Sequence, residues 1–208
     1  MKPDLSVSLG SLRVRNPVIS ASGTFGYGLE FAPFYDISRL GAIVVKGLSL
    51  APSPGNPPGR IVETASGMLN AIGLQNIGVE RFVADVVPRL EDAGATYIAN
   101  IYGRTPEEYE EVARRLSAVP SLAAIEVNAS CPNVKEGGMA FGATPEGVSR
   151  LTARVRQSTD KPLWVKLSPN VSDIGTIASA AAEAGAEAVS LINTLVGMAV
   201  DHRTRRPK

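Results

Sequence analysis

The sequence predicts an α/β protein, namely a (β/α)8 (TIM) barrel that follows an N-terminal β-hairpin and is truncated after about six strands. Short apolar runs rich in β-branched residues alternate with amphipathic stretches in repeats of roughly 25–35 residues, which is typical of parallel strands joined by helical crossovers. Two helix exits, EDAGATYIAN and AEAGAEAVSLIN, share a glycine before the next strand. Polar residues also lie at or next to the C-terminal end of five predicted strands, and such ends meet on the active-site face of a barrel. They are Lys46, Asn100, Asn128, Lys166 and Asn193.

The elements follow in order along the chain. Leu5 to Arg15 alternates apolar and polar residues around Gly10, which predicts a hairpin. The predicted strands are NPVIS (16–20), GAIVVK (41–46), TYIANI (96–101), LAAIEVN (122–128), LWVKL (163–167) and AVSLIN (188–193). Helices are predicted over 79–93, 107–118, 145–158 and 172–184, and Pro88 should kink or break the first of them. Residues 48–60 are too rich in proline and glycine to continue a helix or a central strand.

A closed barrel has eight strands, so about 70 or more further residues are needed at this repeat length. Residues 1–208 are therefore expected to form a single, incomplete barrel domain, in which 1–15 is the N-terminal hairpin. The chain ends in the polar tail VDHRTRRPK, of which the RTRRPK ending is expected to be a solvated strand-to-helix connection. A doubly wound dinucleotide-binding sheet is disfavoured, because Gly23, Gly26 and Gly28 lack the G-x-G-x-x-G spacing.

The composition disfavours several classes of function. With a formal net charge of +1 over 208 residues, no global field draws the chain to nucleic acid or an anionic membrane. No apolar run approaches the ~20 residues of a membrane span, and the N-terminus does not look like a signal peptide. The single cysteine cannot form an internal disulfide, so a cytoplasmic location is expected. The single histidine, His202, supports neither a Ser-His-Asp triad nor a metal-binding Cys/His cluster.

Lys46 and Lys166 each end an apolar strand. Because buried lysine is rare unless it is paired, a lysine at such a position favours an anionic ligand. One alternative is that both side chains extend to solvent, and another is a Schiff-base aldolase, which also has a lysine at a barrel strand end. Taken alone, Cys131 is most simply a small buried hydrophobe, and each asparagine a turn or cap residue.

Four motifs occur in a fixed order: ETASGMLNAIGLQN (63–76), NASCPNVKEGG (128–138), VKLSPN (165–170) and INTLVGM (192–198). On these motifs the sequence, from about Asn16 to its last residue, resembles class 1 dihydroorotate dehydrogenase. The NVKEGG continuation and the MLNAIGLQN loop are more similar to the NAD-linked class 1B than to the fumarate-dependent class 1A. The family is a (β/α)8 barrel that holds FMN at its C-terminal face and oxidises dihydroorotate to orotate in de novo pyrimidine (UMP) biosynthesis.

The resemblance also implies site residues. Cys131 would be the catalytic base. FMN would be contacted by Ser22, Lys46, Gly47, Asn100, Asn128, Lys166 and Ile192. The substrate would be surrounded by Lys46, Asn70, Ala71, Ile72, Gly73, Leu74, Asn128, Asn193 and Thr194. Position 47 usually carries a small hydroxyl residue in the family, so glycine here leaves only a backbone contact to carry over.

The implied chemistry suits these residue types. Desaturation of dihydroorotate removes a proton from one ring carbon and a hydride from its neighbour, and the flavin accepts the hydride. A thiol such as Cys131, with a reference pKa of about 8.5, can take the proton. Pro132 confines Cys131 to extended backbone, on a loop beyond a strand end. Asparagine offers both a donor and an acceptor to the amide edges of a pyrimidine ring.

The class 1B resemblance implies that electrons pass to NAD through a partner subunit carrying FAD and an iron–sulfur cluster, with a homodimer inside a heterotetramer. One cysteine cannot hold such a cluster in this chain. Two further alternatives stay open, the fumarate-linked class 1A enzyme and a catalytically inactive barrel fragment. Because barrel phosphate sites usually come from the loops after strands 7 and 8, residues 1–208 alone are expected to bind FMN weakly.

Overall fold

The computed structural model describes residues 3–130 and 141–208. Within these ranges the strands are β1 (Val7–Leu9), β2 (Leu12–Val14), β3 (Ile19–Ser20), β4 (Ala42–Val44), β5 (Ile61–Thr64), β6 (Gly67–Asn70), β7 (Tyr97–Ile101), β8 (Ala124–Asn128), β9 (Leu163–Lys166), β10 (Ala188–Ser190), β11 (Val200–Asp201) and β12 (Arg206–Pro207). The helices are α1 (Val79–Arg81), α2 (Val87–Asp92), α3 (Pro106–Ser117), α4 (Pro145–Arg156) and α5 (Ile174–Glu183). None of these helices has both the length and the apolar character needed to cross a membrane.

Six strands form one sheet whose spatial order, β3-β4-β7-β8-β9-β10, is also their order along the chain. Every neighbouring pair is parallel. A doubly wound sheet reverses its strand order, whereas successive strands of a barrel do not. The predicted barrel class is therefore confirmed, and so is the antiparallel β1–β2 hairpin that precedes it.

Side-chain caps fix where the longer helices begin. Thr105 accepts a hydrogen bond from the main-chain N–H of Glu108, and Thr144 accepts one from Gly147, so α3 and α4 both start on a threonine followed by proline. Asp173 caps α5 in the same way through two main-chain N–H groups. These local signals explain why the three predicted helices agree with the observed bounds to within two residues.

Pro88 does not break the first helix. The chain passes from α1 through a π-helical segment, Phe82–Val86, directly into α2, which has Pro88 in its first turn. Proline has no N–H to donate, and the preceding turn widens, with the N–H of Val87 bonding to the carbonyl of Phe82. The helix is therefore irregular before Pro88, as expected, but it continues through the proline without a break.

The sheet separates two apolar clusters, because side chains on a strand alternate between its faces. Odd-numbered positions such as Ile43 and Ile125 pack against the helices in the larger cluster. Even-numbered positions face the barrel interior, where Ala42, Ala124 and Trp164 pack with Val14 of the N-terminal hairpin. The hairpin thus covers the end of the interior where the strands begin, and the polar residues lie at the end where they finish.

Two hairpins were not predicted. β5 and β6 pair antiparallel over four residues, and the end of β5, the turn and all of β6 lie within the ETASGMLNAIGLQN motif (63–76). β11 and β12 pair over two residues, and β12 lies in the RTRRPK segment that was expected to be a solvated connection. Most residues of these four strands are exposed, so the apolar alternation that marks a buried strand is absent from their sequences.

One carboxylate fastens the N-terminal hairpin to the barrel. Glu187, directly before β10, accepts hydrogen bonds from the main-chain N–H and the hydroxyl of Ser11, and it lies 3.6 Å from Nη1 of Arg156. The bonds from Ser11, with a smaller contribution from Arg156, hold the pKa of Glu187 below its ordinary value. Glu187 therefore stabilises the fold in its ionised form.

We expect Glu187→Gln to lower the free energy of unfolding by about 1–2 kcal/mol at neutral pH, because charge-assisted hydrogen bonds are lost. A carboxyl group with a lowered folded pKa stabilises above its unfolded pKa of about 4.3, and this contribution disappears as pH falls through the folded value. Denaturant unfolding at several pH values should therefore show a difference that shrinks in acid. Glu183→Gln, at an exposed position on α5, is the control, and a pH-independent difference would contradict the assignment.

Candidate active site

The polar residues predicted from the strand ends do lie at one end of the sheet. Asn128 and Lys166 are the last residues of β8 and β9 and are paired in register, and Asn100 is the last but one of β7. Lys46 and Asn193 follow β4 and β10 by two and three residues. The parallel sheet therefore gathers these five side chains, which are far apart in sequence, at its C-terminal edge.

Lys166 is the buried cation of this site. It is 8% exposed, and its Nζ donates to the hydroxyl of Ser22 at 3.2 Å. Ser22 belongs to the glycine-rich loop after β3, which is also tied to the end of β4 by a 2.8 Å hydrogen bond from the N–H of Lys46 to the carbonyl of Gly26. Among the described residues neither lysine forms an ion pair, so both ammonium groups are available to an anionic ligand.

A cavity of about 220 Å³ opens beside Lys166. It lies at the inner face of the sheet and is lined by Ser22, Glu126, Trp164, Lys166, Ser190 and Ile192, among others. Two more donors border it, since the indole N–H of Trp164 and the hydroxyl of Ser20 are buried without a hydrogen-bond partner in the described part of the chain. Buried donors without a partner are rare, and they mark a cavity that a polar ligand or water completes.

Glu126 is a buried member of the site that sequence reasoning missed. It is 3% exposed, and it accepts hydrogen bonds from Nδ2 of Asn100 at 2.6 Å and from the hydroxyl of Ser190 at 2.5 Å. The signal was present in the sequence, because Glu126 shares the strand LAAIEVN and the same strand face with Asn128. A charged residue inside an otherwise apolar strand should have marked the barrel interior.

Asn128 and Asn193 are joined to each other. Oδ1 of Asn128 accepts from Nδ2 of Asn193 at 3.0 Å and from the N–H of Ser130 at 3.2 Å, and its main-chain carbonyl accepts from the hydroxyl of Tyr109 at 2.8 Å. Oδ1 of Asn193 accepts from the N–H of Thr194 at 2.8 Å. The amide group of Asn128 is therefore held so that, among the described residues, its Nδ2 has no acceptor and can donate to a ligand.

The loop of residues 70–74 is anchored to the strand ends by a buried polar network. The hydroxyl of Tyr102, directly after β7, donates to the carbonyl of Leu74 at 2.9 Å, and Nδ2 of Asn76 donates to the same carbonyl at 3.0 Å. Nδ2 of Asn76 also donates to the hydroxyls of Ser49 and Tyr102. These bonds fix the base of the loop beside the ends of β4 and β7.

The segment after β10 lies against the β5–β6 hairpin. A Cβ atom added at Gly197 would be 3.3 Å from Cδ2 of Leu69. The side chain of Asn170 secures the same segment, since it donates to the carbonyl of Thr194 and accepts from the N–H of Val196. The VKLSPN and INTLVGM motifs are thus bound to each other, and the hairpin approaches them across the C-terminal face.

The structure does not bring all the predicted substrate-binding residues into contact with one another. Asn70, Ala71, Gly73 and Leu74 are exposed and Ile72 is partly buried. Within the described residues no hydrogen bond connects this loop to Asn128 or Asn193, so their common role stays a prediction. Cys131 lies outside the described residues.

The residues present fit a flavin. Lys46, Lys166, Asn100 and Asn128 offer the cations, donors and acceptors that a ring of fused amides and an anionic group require. Gly47 has no side chain, and a Cβ there would be 2.9 Å from Oδ1 of Asn100. The absence of a side chain at position 47 therefore keeps that oxygen accessible.

Comparisons with known proteins agree with this geometry. The family model of dihydroorotate dehydrogenase matches residues 4–208. Proteins named dihydroorotate dehydrogenase B (NAD(+)), catalytic subunit, are 58% identical in Pelobacter propionicus, 56% in Trichlorobacter lovleyi and 55% in Geobacter sulfurreducens. The matches cover 99–100% of this chain and 68% of each of these relatives. The chain therefore belongs to the dihydroorotate dehydrogenase family.

Proposed function

We propose that this protein oxidises dihydroorotate to orotate in pyrimidine biosynthesis, as an NAD-linked enzyme that uses FMN. The observation that carries the proposal is the group formed by Lys166, Asn100 and Asn128 at the strand ends, where each side chain is held by a residue from another part of the chain. The names of the relatives from three bacteria support the same reaction.

FMN is proposed to lie across the strand ends, and when bound it supplies the acceptor for the hydride. Its contacts would come from Ser22, Lys46, Gly47, Asn100, Asn128, Lys166 and Ile192. The buried ammonium of Lys166, which has one hydroxyl partner, would balance negative charge on the ring. The cavity beside Lys166 and its unpartnered donors support this position.

The substrate is proposed to be held by amide groups from separate loops. Nδ2 of Asn128 is directed by its two acceptor bonds, and Asn193 and Thr194 adjoin it. The loop of residues 70–74, anchored at Leu74, would cover the substrate from the other side, and Lys46 would bind its carboxylate. Together these groups would orient the ring and exclude water from the reacting carbons.

Cys131 is proposed to take the proton from the substrate. Its neighbour Ser130 donates a main-chain hydrogen bond to Oδ1 of Asn128, so the chain turns sharply where β8 ends and Cys131 follows. A thiolate on this loop, close in sequence to the substrate-binding amide of Asn128, is suited to remove a proton from a ring carbon.

The relatives are named as catalytic subunits, which supports a partner subunit for this chain as well. We propose that the partner carries FAD and an iron–sulfur cluster and passes electrons to NAD, in a heterotetramer built on a homodimer of this chain. The location in the cytoplasm stays a prediction.

The test of the function is spectroscopic. The full-length protein should be yellow when purified, or become yellow on adding FMN, and its visible absorption should bleach when dihydroorotate is added without oxygen. NAD with the partner subunit should then restore the colour, whereas fumarate alone should not. A protein that FMN cannot reconstitute would exclude the proposal, and reoxidation by fumarate would favour the class 1A reaction.

A further inference from the structure

Glu126 is a carboxylate that the proposed chemistry does not use. It lies in the middle of β8, faces the barrel interior and is 3% exposed. Burying a carboxylate costs free energy unless its oxygens are hydrogen-bonded, and here both oxygens are. Within the described residues it forms no ion pair. Its two hydrogen bonds are the contacts from which we infer its role.

The first partner, Asn100, is constrained by the chemistry of a carboxylate. An ionised carboxylate accepts hydrogen bonds and donates none, so the amide of Asn100 must turn its nitrogen towards Glu126, and the two atoms are 2.6 Å apart. The oxygen of the amide then faces away from Glu126. It points towards Gly47, because a Cβ at Gly47 would be 2.9 Å from Oδ1 of Asn100.

The second partner holds the carboxylate in position. The hydroxyl of Ser190 donates to the other oxygen of Glu126 at 2.5 Å, although β10 is two strands away from β8 in the sheet. The bond crosses the inner face of β9, where Trp164 and Lys166 line the same cavity. With both oxygens engaged, the carboxylate is restricted in rotation, and so is the amide that donates to it.

We propose that Glu126 is a positioning residue that locks the amide of Asn100 with its oxygen, and not its nitrogen, towards the flavin. The inference rests on the proposed function, because it concerns the ring that Asn100 would contact. The pyrimidine part of a flavin carries one ring N–H between two carbonyl groups. An amide oxygen fixed by Glu126 accepts from that N–H, whereas a flipped amide would present a donor to it.

Removing the carboxylate tests the lock. The probes are FMN and 3-methyl-FMN, which lacks the ring N–H, and their affinities for the full-length apoprotein are measured by quenching of flavin fluorescence. The parent protein should prefer FMN by about tenfold or more, the value of one hydrogen bond to a buried acceptor. Glu126→Leu frees the amide to flip and should reduce this preference at least threefold. The ratio is informative because a purely structural loss would weaken both probes equally.

If Glu126→Leu does not fold, a second test exchanges the acid and the amide between positions 100 and 126. Asn100→Asp sets two carboxylates against each other and should weaken FMN binding about tenfold or more. Adding Glu126→Gln restores one donor and one acceptor, so the double variant should recover FMN affinity and the preference over 3-methyl-FMN. Glu126→Gln alone allows either orientation of the Asn100 amide, because glutamine can donate as well as accept. It should therefore reduce the preference for FMN over 3-methyl-FMN, but keep FMN affinity better than Asn100→Asp does.

The outcomes separate this inference from the proposed function. If the parent protein binds FMN, but Glu126→Leu keeps the full preference or the double variant binds no better than Asn100→Asp, the positioning role is wrong and the function stands. If the parent protein binds neither flavin, the proposed function itself fails.

Discussion

Replacing Cys131 with serine is expected to lower the rate of dihydroorotate oxidation about 10²–10⁴-fold near neutral pH, while FMN stays bound. A serine hydroxyl is a far weaker acid than a thiol with a reference pKa of about 8.5, so almost none of it is ionised at pH 7. The substitution should lower kcat and leave KM nearly unchanged, since the proposed contacts to the flavin and the substrate come from other residues. Stopped-flow bleaching of the flavin measures this step directly.

The pH profile distinguishes a lost base from a disturbed loop. In the parent protein the bleaching rate should rise with pH to a plateau set by the thiol, and in the serine variant it should keep rising into the alkaline range. Ser130→Ala is the matched control, because it removes a hydroxyl from the neighbouring residue but keeps the thiol and the main-chain hydrogen bond to Oδ1 of Asn128. It should leave the profile unchanged. Unchanged turnover in Cys131→Ser would remove this residue from the base role.

The parts of the fold predicted from sequence are those encoded by local patterns. Apolar runs with a lysine at or next to their last position, as in GAIVVK and LWVKL, indicated both the strands and the face on which Lys46 and Lys166 lie. Amphipathic stretches between these runs indicated α3 and α4, and in the structure each of these helices starts on a threonine followed by proline. Each of these signals depends on a few neighbouring residues, so the sequence alone contains them.

The parts that were missed have no local apolar pattern that marks them. The bond between Glu126 and Ser190 joins residues 64 positions apart, and no pattern near either residue indicates it. The exposed β5–β6 hairpin is held by pairing and not by burial. The π-helical turn before Pro88 reflects a helix that packs well enough to continue through a proline, with Phe82 and Leu90 fully buried.

Lys166→Met is expected to weaken FMN binding about 10–100-fold, the value of a charge-assisted hydrogen bond made by a buried group. The apoprotein should nevertheless be as stable as the parent or more stable. The buried ammonium has one neutral partner, the hydroxyl of Ser22, and methionine fills similar volume without the cost of burying a charge. Flavin titration and thermal unfolding of the same samples measure the two effects.

Lys161→Met is the matched control at the opposite end of the same strand. Lys161 lies just before β9, burial lowers its pKa, and its Nζ donates to the carbonyls of Pro120 at 3.2 Å and Leu122 at 2.9 Å. Its loss leaves two carbonyls without that donor, so this variant should be destabilised by about 1–2 kcal/mol with FMN affinity unchanged. The two substitutions should thus have opposite effects: Lys161→Met should lower stability but not FMN affinity, and Lys166→Met should lower FMN affinity but not stability. Loss of stability without loss of FMN affinity in Lys166→Met would assign it to the fold instead.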